Sequence, residues 1–148
     1  MHILAMSEGL ATLSSALFAG AAVYISVVEH PARLLCGTRI AVTEFAPSYK
    51  RGTFMQASLA AVGTLAAVAA WMMGAPWTWL MGGLMLGAVI PFTILVIFRT
   101  NAQLLDPSLD KDSALAAKLL ERWGRLHAVR SGMSLASILT FLYSGLWR

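Results

Sequence analysis

Charge is what this sequence has least of. Only 12% of its 148 residues are Asp, Glu, Lys or Arg, while 58% are hydrophobic. Soluble domains carry about 25% and roughly 45–50%. So little charge cannot coat a small globule in water, whereas a surface facing lipid needs none. Cysteine is nearly absent too. Cys36 alone excludes an intrachain disulfide, and one thiol with three histidines makes no zinc-finger spacing. The excess of basic over acidic residues, 11 against 7, lacks the stripe with interleaved aromatics that a nucleic-acid partner requires, so none is expected. No Lys or Arg precedes the first apolar run and no A-x-A-like cleavage site follows it. That run reads as a retained span and not as a signal peptide.

What is present is long charge-free runs. Residues 9–28 make one of 20 residues, the length needed to cross a hydrocarbon core. Small residues recur in it at i, i+4, as in Ser15/Ala19, Ala16/Gly20 and Ala22/Ser26, which lets helix backbones approach in lipid. Residues 52–98 make a second of 47. One helix of that length would reach about 70 Å, more than twice the core. It must turn back, and Gly74-Ala75-Pro76 is the breaker, giving spans at 55–73 and 77–98. Pro91 should kink the third span and free the Gly87 carbonyl.

From Arg99 the chain turns polar. Asp106-Pro107-Ser108 reads as a turn, and residues 112–126 set Leu115, Leu119, Leu120 and Leu126 among Lys118, Glu121, Arg122 and Arg125. This amphipathic segment is expected to lie along the membrane surface and run into a last span at 126–147. The expected fold is all-α: one domain, 1–148, a transmembrane four-helix bundle with a cytoplasmic amphipathic helix before the last span. Its first partner is then the lipid bilayer. A monomer and a homo-oligomer both stay open.

Four spans put the loop holding Arg33, Arg39, Lys50 and Arg51 on the same side as Arg99, Lys111, Lys118, Arg122, Arg125 and Arg130. That side carries all the basic residues except Arg148. The positive-inside rule makes it cytoplasmic and leaves both termini outside, in a bacterial inner (plasma) membrane. Trp71, Trp77, Trp79 and Trp147 fall at the outer face, as an aromatic belt should.

The same topology gathers three polar motifs at the cytoplasmic mouth: Glu29-His30-Pro31, Thr100-Asn101 after Arg99, and Trp123, His127 and Arg130 at i, i+4, i+7 on one helical face. Each has a plainer reading. The histidines can be interfacial, Glu29 and Arg130 an ion pair, Arg33 a headgroup contact, Trp123 an interface anchor and Asn101 a helix C-cap. Tyr24 and Thr93 are candidates for a substrate pocket as well as for bundle packing. No ionisable residue lies in the middle of a span, which argues against ion transport.

At these residues the chain resembles a known family. The ordered set EHPARL (29–34), APSYKRGTFMQASLA (46–60), PFT (91–93), TN (100–101) and WGRLHAVR (123–130) is similar to the anthrone oxygenase-like family of small four-helix membrane proteins, from about residue 17 to 140. Arg99 stands where the family pattern has a proline. The resemblance implies oxygenation of a lipophilic polycyclic anthrone to a quinone by dioxygen, with no cofactor. His127 or His30 would be the base, since imidazole titrates near neutrality. Arg130 and Asn101 would hold the oxyanion, Glu29 would orient a histidine, and Trp123, Thr93 and Tyr24 would contact substrate. Two rivals stand beside it: a non-catalytic protein that binds a lipophilic ligand, and a metal site built from Glu29, His30 and His127.

The topology is testable by itself. Reporter fusions at the two chain ends should both signal from the non-cytoplasmic side, and ends reporting from opposite faces would separate the polar motifs.

Overall fold

The computed structural model describes residues 2–147. Among them are four long helices and no strand. We call them α1 (His2–Leu35), α2 (Thr38–Met72), α3 (Trp77–Leu104) and α4 (Ala114–Leu146). The first three are long and apolar enough to cross a membrane, so the chain is an integral membrane protein. The fourth is as long, but its inward face spends its apolarity on Ser131, Ser134, Ser137 and Ser144, all buried. Side chains such as Leu17, Val27, Leu65, Leu84 and Leu139 point outward and exposed, as lipid contact demands. The helices pack in a ring, α1 on α2 and α4, and α3 on α2 and α4.

Small residues make that packing close. The inner cluster of the half away from the basic end is largely alanine, with Ala11, Ala66, Ala67 and Ala70 around Trp79 and Phe141. Trp79 is 2% exposed and stacks on Phe141 at 5.1 Å, so it is core and not part of an aromatic belt. Trp71, Trp77 and Trp147 are exposed. The breaker at Gly74 takes φ +98°, a left-handed conformation open to glycine without strain.

Two expectations change at the basic end. The stretch before residue 55 is not a loop: only Cys36 and Gly37 separate α1 from α2, which begins at Thr38. Its first turns hold Ala41, Val42 and Phe45, at helical spacing, against Ile97 and Leu104 of α3 and Leu119, Leu120 and Trp123 of α4. That apolar face stabilises a helix that tolerates Pro47 inside it. For the same reason residues 112–126 are not a separate surface helix. Their apolar face is covered by protein, so the segment continues unbroken into α4, capped by Ser113, whose hydroxyl accepts from the Ala116 N–H at 3.1 Å. At about 50 Å each, α1 and α2 outrun a hydrocarbon core of about 30 Å.

Two π-helical turns interrupt the helices. In α1 the His30 N–H reaches the Ile25 carbonyl, just before Pro31, and in α3 the Phe98 N–H reaches the Thr93 carbonyl, just after Pro91. Prolines that cannot donate leave the ladder free to shift there. The link between α3 and α4 is held locally. The Ser108 hydroxyl and N–H both donate to Asp106 Oδ1, at 2.7 and 2.8 Å, and hold its carboxyl below the usual carboxylate range. The Arg39–Asp112 ion pair and a Lys111–Thr43 hydrogen bond tie the link to α2.

Gly82 tests the close packing. A Cβ there would stand 2.5 Å from Phe141 Cε1, and that ring cannot yield because Trp79 lies against it. Gly82→Ala should cost about 1–3 kcal/mol, read as a lower unfolding midpoint in detergent. Gly132→Ala, with nothing within 4 Å, should not lower it.

Candidate functional site

The polar chemistry follows the seam between α1 and α4. Antiparallel packing sets hydroxyls and small residues opposite each other along it. Ser15 donates to Ser137 at 3.1 Å, Ser137 to the Gly82 carbonyl at 2.8 Å, and Ser131 to the Ala22 carbonyl at 2.9 Å. Next along the seam, Ser26 Oγ stands 2.8 Å from Ser131 Oγ and 3.0 Å from His127 Nδ1.

Counting hydrogens assigns the histidine tautomer. Ser131 has one proton, and its hydroxyl lies within reach of two carbonyls, Ala22 at 2.9 Å and His127 at 3.1 Å, which can only accept. Ser131 therefore accepts from Ser26. The Ser26 proton is then spent, so Ser26 accepts from His127 Nδ1–H. In the neutral imidazole this leaves the lone pair on Nε2. His127 itself is 2% exposed.

Aromatic rings continue from it. Trp123, one turn away on α4, stacks on His127 at 4.7 Å, Phe45 meets Trp123 edge-on at 5.3 Å, and Tyr49 stacks on Phe45 at 5.6 Å. His30 packs at 5.1 Å from Trp123. It also occupies the space left by Gly124, where a Cβ would lie 2.6 Å from His30 Nε2. Trp123 is 7% exposed, buried in the protein and not an anchor in the headgroup region.

Two arginines frame these rings in opposite states. Arg33, 6% exposed, is ion-paired with Glu29 and lies 2.8 Å from Glu44 Oε2, with its guanidinium 5.8 Å from the Trp123 ring centre. Ser48 donates to the same Glu29 oxygen at 3.0 Å. Glu29 thus pairs with Arg33 and not with Arg130, because a residue at i+4 on its own helix lies nearer. Arg130 has no carboxylate partner among the described residues. Its guanidinium sits 5.0 Å over the Phe18 ring, and its Nε is buried without a hydrogen bond.

Two cavities meet at Arg130. One, of about 30 Å³, is lined by Arg33, Tyr49, Gln56, Trp123, His127 and Arg130 among others, and has room for a molecule the size of water. The other, of about 200 Å³, is apolar and lies between α2 and α3, lined by Phe18, Ala60, Val89, Ile90, Thr93 and Ile94 among others. Thr53, Gln56 and Arg130 belong to both walls. The larger one runs from exposed Ile94 and Ala57 inward to fully buried Phe18 and Ala60, so it opens sideways toward lipid.

Of the residues singled out from the sequence, His127, Arg130 and Trp123 line the small cavity and Arg130 and Thr93 the large one. His30 and Asn101 lie outside both. Asn101 is inside a helix that runs on to Leu104, so it is no C-cap, and it is 2% exposed with neither amide atom hydrogen-bonded. Glu29 and Tyr24 border a separate, shallow groove between α1 and α2. No three His, Cys, Asp or Glu side chains among the described residues converge as a ligand set, so Glu29, His30 and His127 do not form one. Sequence reasoning passed over Ser26, Arg33 and Gln56. Signals existed for all three: Ser26, Glu29, His30 and Arg33 share one face at i, i+3, i+4, i+7, and Gln56 is the only Gln or Asn in the charge-free run 52–98.

Among known proteins, a family model described as anthrone oxygenase matches residues 45–140. No curated protein and no solved structure matches.

The two arginines predict different mutational costs. Arg33→Met leaves Glu29 and Glu44, 28% and 42% exposed, without their cation, and should lower stability in detergent by about 1–3 kcal/mol, read as a lower unfolding midpoint. Arg39→Met, which breaks a solvent-exposed pair, should leave the midpoint where it was.

Proposed function

This chain belongs to the anthrone oxygenase family, and on that premise we propose that it oxygenates an anthrone-type polycycle to the quinone within a membrane, with His127 as the base. One observation carries the reading. An arginine with no carboxylate partner, Arg130, stands between an apolar cavity open toward lipid and a polar one that holds His127.

The chemistry suits that division. An anthrone has an acidic methylene because its anion is an extended, phenolate-like aromatic. His127 Nε2 takes one methylene proton, and the electron pair passes into the ring system and onto the former carbonyl oxygen. Arg130 stabilises that oxyanion, in a site of low dielectric where a positioned charge is most effective. Dioxygen, small enough for the 30 Å³ cavity, takes electrons from the anion, and a C–O bond forms at the former methylene carbon to give a hydroperoxide. Loss of the second hydrogen from that carbon as a proton breaks the O–O bond and expels water. One anthrone and one dioxygen yield one quinone and one water. The balance needs no external reductant, and thus neither a flavin nor a metal to supply electrons.

The rings enter sideways from the bilayer between α2 and α3 and rest on Phe18, Ile90, Thr93 and Ile94. A single benzene fills an engineered cavity of 150 Å³, so a cavity of about 200 Å³ seats part of a tricycle and leaves its far ring toward lipid. Trp123 stacks on His127 and fixes the imidazole plane. Glu29 acts at one remove, through Arg33. His30, Asn101 and Tyr24 take no part in this reaction scheme. The membrane is a bacterial inner membrane crossed four times, with α4 as the last span and the basic end cytoplasmic.

Anthrone-dependent oxygen consumption by membranes containing the protein tests this, with emodin anthrone as substrate. His127→Ala should lose 10²–10⁴-fold in rate, the usual worth of a general base, while His30→Ala keeps most of it. A His127→Ala variant as fast as the parent would remove the assigned base. No uptake above empty membranes, with ligand binding intact, would favour a protein that only holds such a ligand.

A further inference from the structure

Gln56 is a buried polar side chain that lines both cavities and that the reaction scheme leaves unused. It is 2% exposed, and its Nε2 has no hydrogen-bond partner among the described residues. It sits in the charge-free part of α2, between Phe54-Met55 and Ala57-Ser58, where a buried unpaired amide costs free energy that Leu or Met would spare. An amide kept only for packing would be expected to bond a neighbouring carbonyl or hydroxyl. This one does not. Its place is shared by both cavities, beside Arg130, whose Nε is also buried and unbonded. Two residues that each carry an unsatisfied donor thus line both the apolar cavity and the polar one.

We propose that Gln56 is a specificity-determining residue that, with Arg130, binds the ring oxygen of a flat polycyclic substrate and so selects oxygen-bearing rings over hydrocarbons of the same shape. The inference rests on the proposed function for the position of that substrate. The amide N–H₂ and the guanidinium both only donate, so together they hold an acceptor: a carbonyl oxygen in the ground state, and more strongly the anion once the methylene proton has left. A ligand with no such oxygen leaves both donors unpaired, which is the arrangement that discriminates best between near-isosteres.

The test is binding, so it does not depend on turnover. Purified protein in detergent is titrated with 9,10-anthraquinone and with anthracene at equal micelle concentration, following tryptophan fluorescence. The parent should bind the quinone at least tenfold more tightly than the hydrocarbon. Gln56→Met, close in volume but without the amide, should lose most of that preference by weakening the quinone while leaving anthracene unchanged. If Gln56→Met fails to fold, Gln56→Glu replaces it. The new carboxylate would pair with Arg130 and repel the ring oxygen, again abolishing the preference. A parent that prefers neither ligand, a variant that keeps the preference, or one that weakens both ligands equally overturns the proposal. Preference retained by a parent that consumes no oxygen would leave Gln56 in its role and remove the reaction.

Discussion

Inside a bilayer no water is present to satisfy a stranded hydroxyl or amide, so each polar group in a span must find its partner in the protein. The α1–α4 seam is organised by that constraint. Ser15, Ser26, Ser131 and Ser137 bond each other and the carbonyls of Ala22 and Gly82, and the small residues between them let the backbones come close enough to do so. Each bond is worth only about 0.6 kcal/mol in membrane proteins. Their larger effect is geometric. By fixing the register of α4 on α1, the seam places His127 opposite Ser26, and so engages Nδ1 in the seam.

The same constraint goes unmet at several places, Thr100 and Asn101 among them, and two of these line the cavities. Ser131 and Ser137 are satisfied, but Gln56 Nε2 and Arg130 Nε have no hydrogen-bond partner among the described residues, and both residues line the two cavities. Serine hydroxyls are short and find a carbonyl one turn back on their own helix, as Ser131 does at His127, or on a closely packed neighbour, as Ser137 does at Gly82. A glutamine amide and a guanidinium reach further and have been kept where nothing within the chain answers them. The two kinds of polar residue therefore do different work in one membrane core. The first sets helix positions, and the second lines the cavities between the helices.

Much of this was legible in the sequence, for identifiable reasons. Charge-free runs at 9–28 and 52–98 located the apolar helices, and the Gly74–Pro76 breaker located the turn, because both signals are local. The i, i+4, i+7 spacing put Trp123, His127 and Arg130 on one face, and the structure lines one cavity with all three. What was not legible depends on contacts between helices. Residues 38–54 looked like a basic loop because their charges are plain, while the apolar face of Ala41, Val42 and Phe45 becomes visible only once α3 and α4 cover it. Arg33 looked like a headgroup contact since its partners, Glu29 and Glu44, are unremarkable until α1 and α2 fold back on each other at Gly37. Trp79 looked like its exposed neighbour Trp77, and only the stack on Phe141 distinguishes them.

The contrast between the two arginines carries the functional argument furthest. Arg33 shows what this fold does with a buried cation it uses for structure: it supplies two carboxylates and an aromatic face. Arg130 is given a ring face alone. A guanidinium over one phenyl ring recovers on the order of 0.5–2 kcal/mol, less than the several kcal/mol that desolvating an ion costs. An anion arriving from outside the chain would relieve that deficit. The surroundings of Arg130 restrict what that anion can be: the larger cavity beside it is apolar and open to lipid, so a hydrophilic anion is poorly suited to that route. A lipophilic molecule that enters neutral and becomes an anion only after giving up a proton meets both conditions, and His127, lining the adjoining cavity, is the group that can take it.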